Sequence, residues 1–280
     1  MTSASKIRVG VVGYGNMGHY LTKAIEDNDN LELAFVWNRS TEALEGNVKS
    51  DCILKDLNDF AIFSPDLIVE VAHPCITREY GAKFLQYADY MIGSPTALAD
   101  KDLEVTLRKA ARVHGLYVPS GAFWGGEDIK KMADRGTLQA LKVTISKHPY
   151  SFKLEGDLKE KNSRVTGDTA VELYSGPVRE LCPLAPNNVN TMAVAALAAH
   201  NLGFDGVQCR LVSDPKLTDW HIVEVETWGP GDISKDKAFH CHTVRRNPAQ
   251  IGNVTGSATY VSFLSSMVRA HGKGPGVHLC

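Results

Sequence analysis

Three short stretches hold side chains able to do chemistry. His221 opens HIVEVETW directly after the turn-like SDPKLTDW, which sets an imidazole at a strand end, within reach of a crevice. A ring that titrates near neutral pH is a natural proton shuttle there, although a packed or solvated histidine would leave the same trace. In PNNVNTMAVAALAAH, Asn188 and Asn190 stand ahead of an alanine-rich stretch that reads as a helix. Such amides either cap the helix or, with only small side chains behind them, let something polar pack close against it. The third stretch is GVVGYGNMG, where Gly13, Gly15 and Gly18 have G-x-G-x-x-G spacing.

The glycine spacing gains meaning from its neighbours, because it closes a valine-rich run and opens an amphipathic one. Gly13 permits the tight turn, Gly15 lets the backbone approach a pyrophosphate, and Gly18 lets helix and strand pack closely. Free N–H groups at the helix start, around Asn16 and Met17, then face the anion. The second strand ends in VWNRS. An NAD site usually has a carboxylate here for the ribose hydroxyls. Asn38, Arg39 and Ser40 can each donate to a 2′-phosphate instead. The expected cofactor is therefore NADP or NAD, with NADP favoured. Ser40 or Thr41 can also cap a helix over 41–46. His240 and His242 share a strand face, but two ligands without a third make no metal site, and none is expected.

The elements that position these groups follow from periodicity. Valine-rich or apolar runs at 6–13, 31–37, 66–72, 90–93 and 116–121 alternate with helical patterns at 16–27, 76–87 and 100–114, which is the mark of an open parallel sheet covered on both faces. Beyond residue 120 the runs at 141–149, 207–214, 221–228 and 239–245 alternate in polarity, as half-covered antiparallel strands do. Helices are expected at 125–135, 189–202 and 256–270, and a mobile loop at 153–168. The fold class is α/β, with a Rossmann-type dinucleotide-binding domain at 1–120. A second α+β domain at 121–280 has a mostly antiparallel sheet. The helix over 256–270 is free to pack back on the first domain.

Composition narrows the function. The 280 residues carry 30 basic and 32 acidic side chains, a net charge of −2, which offers no footprint for nucleic acid or an anionic membrane. The six cysteines form no Cys-x-x-Cys pair and fit a reducing compartment. No signal peptide, transit peptide or membrane-length apolar run is read, so a cytoplasmic protein is expected.

Four stretches together resemble the L-aspartate dehydrogenase family: the glycine loop, PSGAFWGGEDI (119–129), APNNVNTMAVAALA (185–198) and DPKLTDWHIVEV (214–225). They occur in the family's order and span nearly the whole chain. The resemblance implies that Ala122 and Asn188 contact the cofactor and that His221 is catalytic. It implies NAD(P)-dependent oxidative deamination of L-aspartate to oxaloacetate and ammonia through iminoaspartate, or the reverse. It also suggests Lys147 as a cation for the dicarboxylate substrate. Ser120, and the N–H groups at the helix start near Gly125 and Gly126, are candidates for a carboxylate, and Asn190 is a further substrate candidate. Asp219 and Ile222 depart from the family, which commonly has Asn and Glu there. Two other readings stay open: a related oxidoreductase acting on another amino or oxo acid, and a non-catalytic NADP(H)-binding regulator. A homodimer joined through an exposed sheet is expected.

Overall fold

The computed structural model describes residues 6–270 and 272–280; residues 1–5, part of the start read for a leader, lie outside them. Two sheets form the frame. Strands β1 (Ile7–Val12), β2 (Leu31–Trp37), β3 (Ile53–Leu54), β4 (Leu67–Glu70), β5 (Asp89–Ile92) and β6 (Gly115–Val118) join a final strand from the end of the chain. All pair in parallel, in the order β12-β6-β5-β4-β1-β2-β3, where β12 is Gly276–Leu279. Every residue of β4, β5 and β6 is buried, as a sheet covered on both faces requires.

Helices α1 (Asn16–Glu26), α2 (Pro74–Tyr87) and α3 (Lys101–Ala110) connect the strands. Phe84, Leu85 and Leu107 of α2 and α3 pack with Val12, Phe35 and Ile68, while Leu21 and Ile25 of α1 pack with Val9, Val11 and Met91. The chain runs from β1 outward through β2 and β3, then returns on the other side of β1 as β4. This reversal opens a crevice at the carboxyl ends of β1 and β4, where open α/β sheets bind ligands.

The second sheet has the order β11-β10-β7-β9-β8: β7 (Ala140–Lys147), β8 (Val171–Pro177), β9 (Gln208–Ser213), β10 (Trp220–Asp232) and β11 (Lys237–Pro248). Only β7 and β9 pair in parallel. Around it lie α4 (Gly126–Asp134), α5 (Gly156–Ser163), the short α6 (Val178–Leu181), α7 (Asn190–Ala198) and the short α8 (Gly203–Gly206). Every residue of α7 from Met192 to Ala198 is buried. A helix apolar all round belongs inside a core, and its small side chains let it touch both α4 and the 3₁₀ turn Pro95–Ala99 of the first sheet. Thr96 Oγ1 donates to the Pro186 carbonyl across the same seam, 3.0 Å away. One apolar cluster consequently runs from Phe35 to Val225.

One expectation needs correction. The stretch 153–168 contains α5, held by buried Leu158, by Lys161 Nζ donating to the Leu173 carbonyl and by Asn162 Nδ2 donating to the Pro149 carbonyl. Its polarity reflects a largely solvated helix. The far end of the chain returns to the first sheet. Helix α9 (Ser257–Arg269) sets Phe263 and Met267 among Leu21, Met91 and Tyr117, and β12 pairs with β6. Among the described residues no helix is long and apolar enough to cross a membrane.

Candidate active site

A cavity of about 430 Å³ lies where the carboxyl ends of the first sheet meet the inner face of the second. The first sheet contributes the turns after β1, β4, β5 and β6; the second contributes β7, β10 and β11, with the loop 252–256 and α9 closing over them. Lys147, His221 and the exposed Lys153 are among the residues lining it, and among the described residues no carboxylate is. Of the expected site residues it gathers Asn16, Met17, Ser120, Ala122, Lys147, Asn188, Asn190 and His221. Gly13, Gly15, Gly18, Asn38, Arg39 and Ser40 lie outside it, along the β1–α1 turn and the end of β2.

The glycine turn fits a dinucleotide. Gly13 has φ +107°, and a Cβ there would sit 2.9 Å from the Ala72 backbone. A Cβ on Gly18 would meet the Gly13 carbonyl at 2.0 Å, so α1 approaches β1 only because position 18 has no side chain. Around Gly15 nothing lies within 4 Å of where a Cβ would be, which leaves the backbone open to a bulky anion. Helix α1 has no side-chain cap and no acidic residue in its first turn, so its leading N–H groups are free to meet a phosphate.

The end of β2 is arranged differently from expectation. Asn38 Oδ1 accepts from the Tyr14 N–H (3.1 Å) and Nδ2 donates to the Ser40 carbonyl (2.9 Å), so this amide braces the glycine turn. Ser40 Oγ donates to Glu42 (2.6 Å), and no side-chain bond from Ser40 caps the following 3₁₀ turn, Thr41–Ala43. Arg39 remains, exposed and without a side-chain partner among the described residues.

Inside the cavity, polar side chains form a row across the second sheet. His221 pairs with Asn247 of β11, and the β10–β7 register continues from Ile222 and Ser146 to set His221 opposite Lys147. All three point to the covered face and are buried, at 6% (Lys147), 4% (His221) and 3% (Asn247) exposure. Lys147 Nζ donates to the Val254 carbonyl at 2.8 Å. Burial pushes its ammonium down to about 7. Burial, and then the charge of Lys147, push His221 down to about 3, against a hydrogen bond with the Asn253 backbone. The ring is neutral near pH 7. Its Nε2 has no partner, and neither has Oδ1 of Asn247 or of Asn190. Asn247, Lys153 and the loop 252–256 were missed in the sequence; the alternation of β11 was legible, but nothing in it singled out one polar position.

The asparagines of the opening motif divide their work. Asn188 is 5% exposed. Its Oδ1 accepts from the Lys153 N–H (2.8 Å) and its Nδ2 donates to the Ser151 carbonyl (3.3 Å), so it anchors the segment bearing Lys153. Asn190 begins α7 but makes no capping bond; the N-cap position is Val189. Ser120 holds the β6 turn, its N–H donating to the Cys280 carbonyl. Gly125 and Gly126 lie outside the cavity, so the start of α4 offers no carboxylate site there.

A buried carboxylate supports the first-sheet side. Glu70, at the end of β4 and fully buried, accepts from the Ala72 N–H (2.7 Å), the Ser94 N–H (3.0 Å) and Ser94 Oγ (3.1 Å). It ties the ends of β4 and β5 together beneath Ala72 and Ser94, which face the cavity. Desolvation raises its carboxyl to about 7, with these donors opposing the rise.

The two departures from the family pattern avoid the cavity. Ile222 lies on the other face of β10 from His221, and Asp219 is exposed and accepts from Thr218 Oγ1. His242 and His240 face Glu224 (3.1 Å) and Glu226 (4.0 Å). Among the described residues no group of three metal-ligating side chains is present.

Comparison with known proteins adds the following. Residues 128–266 match the family model "Aspartate dehydrogenase, C-terminal", and residues 13–119 match "Homoserine dehydrogenase, NAD binding domain". An aspartate dehydrogenase domain-containing protein of Xenopus tropicalis is 57% identical over the full length of both chains. One of Danio rerio is 50% identical over 98% of each. An L-aspartate dehydrogenase of Methanocella arvoryzae is 30% identical, covering 75% of this chain and 79% of its own. Among solved structures, the aspartate dehydrogenase of Thermotoga maritima superimposes with a TM-score of 0.67 at 19% identity, over 95% of this chain and 97% of the other. At that identity it bears on the fold alone, and the fold agrees.

Proposed function

The chain belongs to the aspartate dehydrogenase family, and on that premise we propose that it interconverts L-aspartate with oxaloacetate and ammonia through iminoaspartate, using NADP or NAD. The observation that carries the reading is the charge of the cavity: Lys147 and Lys153 line it, and among the described residues no carboxylate does. A dicarboxylate fits such a lining and a cationic substrate does not. A bound nicotinamide dinucleotide supplies the hydride acceptor in deamination and the donor in amination.

The residues then take distinct parts. The turn Gly13–Gly18 and the first N–H groups of α1, at Asn16 and Met17, hold the pyrophosphate, and Arg39 faces the adenosine end. Ala122, Asn188 and the Glu70-supported shelf at Ala72 and Ser94 hold the nicotinamide end. Lys147, exchanging its Val254 carbonyl for a carboxylate, orients the substrate, with Lys153 available to the second carboxylate. Ser120 and Asn190 border the same space. His221, neutral and with Nε2 free, takes the proton of the water that adds to the imine carbon and returns it to the departing amine nitrogen. Substrate carboxylates offset the field of Lys147 and raise the basicity of the ring at that moment. Proton transfer of this kind contributes ~10²–10⁴-fold.

The working form under this reading is a cytoplasmic homodimer joined through the second sheet, whose face away from the cavity leaves Val244 of β11 half exposed.

The test is a screen of small oxo acids with ammonium and each reduced cofactor. Oxaloacetate should be the preferred substrate, and His221→Ala should lower turnover by ~10²-fold or more while cofactor affinity stays within about twofold. Preference for another oxo acid would move the substrate within the same reaction class. Tight cofactor binding without turnover on any of them would make the protein a nucleotide-binding regulator.

A further inference from the structure

We propose that Asn247 meets the substrate directly, its carboxamide oxygen and Nε2 of His221 together receiving hydrogens of the substrate's amino nitrogen. The inference rests on the reading of the substrate as an amino acid and assigns the group that recognises its nitrogen.

Three observations converge on it. Asn247 is 3% exposed, lines the cavity and leaves Oδ1 without a partner. A buried acceptor left unpaired is destabilising, so a ligand that donates to it recovers that cost. Second, Asn247 is the direct cross-strand partner of His221. The Nε2 atom of that ring is equally unpartnered among the described residues. A neutral imidazole carries its proton on one nitrogen and presents a lone pair on the other. Two adjacent lone pairs repel a carboxylate and suit a group rich in N–H. Third, the row is polarised. Lys147, the donor, lies on one side of His221 and Asn247, the acceptor, on the other, across strands spaced roughly 5 Å apart. An amino acid bound along the row places a carboxylate at Lys147 and its nitrogen at Asn247, with the α-carbon over His221. Gly256 keeps the closing loop tight against this end: a Cβ there would lie 3.1 Å from Asn247 Cβ and 3.8 Å from His221 Nδ1.

The discriminating experiment compares L-aspartate with succinate, which has both carboxylates and no amino group. Binding of each to the protein loaded with reduced cofactor is measured by calorimetry for wild type, Asn247→Leu and Asn247→Asp. Wild type should bind L-aspartate at least about tenfold more tightly than succinate, the scale of one charge-assisted hydrogen bond. Asn247→Leu, close to Asn in shape, should abolish the preference with succinate affinity and cofactor affinity unchanged. Asn247→Asp, which keeps an acceptor, should retain it. If Asn247→Leu keeps the wild-type preference, the proposal is overturned and the substrate reading stands. If it loses cofactor affinity instead, Asn247 faces the cofactor and the proposal is likewise overturned. If wild type binds neither acid, the dicarboxylate reading itself fails, and the assignment of Asn247 falls with it.

Discussion

A lysine buried without a carboxylate is the residue most open to a pH test. Lys147 has its ammonium pushed down to about 7 by desolvation, so the free protein carries that charge below pH 7 and loses it above. Under the proposed function a substrate carboxylate pairs with the charged form. KM for the dicarboxylate should therefore be flat below pH 7 and rise about tenfold per pH unit above it. In Lys147→Met it should be high and flat across that window, which separates this titration from that of Glu70, raised to a similar value. Steady-state profiles from pH 6 to 9 check both. At the other end of the cleft, Arg39 is the donor left free for a 2′-phosphate, since Asn38 and Ser40 are engaged within their own loop. Arg39→Ala should weaken NADPH about tenfold and leave NADH nearly unchanged, as read by cofactor fluorescence titration. The sequence offered Asn38, Arg39 and Ser40 alike, because residue type is visible in a sequence and hydrogen-bond partners are not. His221 and Asn188 were found through motif likeness. Asn247 had no motif and no unusual neighbour, and its significance appears only when β10 and β11 are in register.

At the scale of elements, the parallel sheet was legible because each strand is an apolar run between turn residues. The length of β10 and β11 was not, because both continue past the alternating core into polar residues up to Asp232 and from Lys237. Helix α5 was hidden for a related reason: a single buried leucine gives too little periodicity to outweigh the polar residues around it. Strand ends carry the site, and Glu70 fixes two of them. Replacing it with glutamine turns an NH₂ toward a backbone N–H and should cost about 1–3 kcal/mol in urea unfolding at neutral pH. The pH trend has a definite sign. The folded pKa of Glu70 stands at about 7, above the ordinary 4.5 of a free glutamate, so the folded state holds the extra proton between these values. Wild-type stability from this group is full below 4.5 and is lost as pH rises through 7, a slope that Glu70→Gln lacks. The gap between the two proteins should narrow over that range.

For the whole molecule, the exposed face of the second sheet predicts association. Light scattering at micromolar concentration should report twice the chain mass, and Val244→Asp, on the face of β11 away from the cavity, should return it to one without loss of the folded signal. A stable wild-type monomer would refute the dimer. The two-sheet plan was legible as a change of periodicity near residue 120. The return of the chain was not, since GVHL is too short and too mixed to read as a strand until β6 offers it an edge. That return has a consequence for synthesis. A nascent chain leaving the ribosome presents six of the seven first-sheet strands, with the outer edge of β6 open, long before residue 279 emerges. Domains that begin a chain generally condense first. Here the nucleotide-binding half must keep an unfinished border uncovered until the other half has been made, so chaperone demand should peak late in translation and nearly all of the polypeptide must be present before cofactor can be retained.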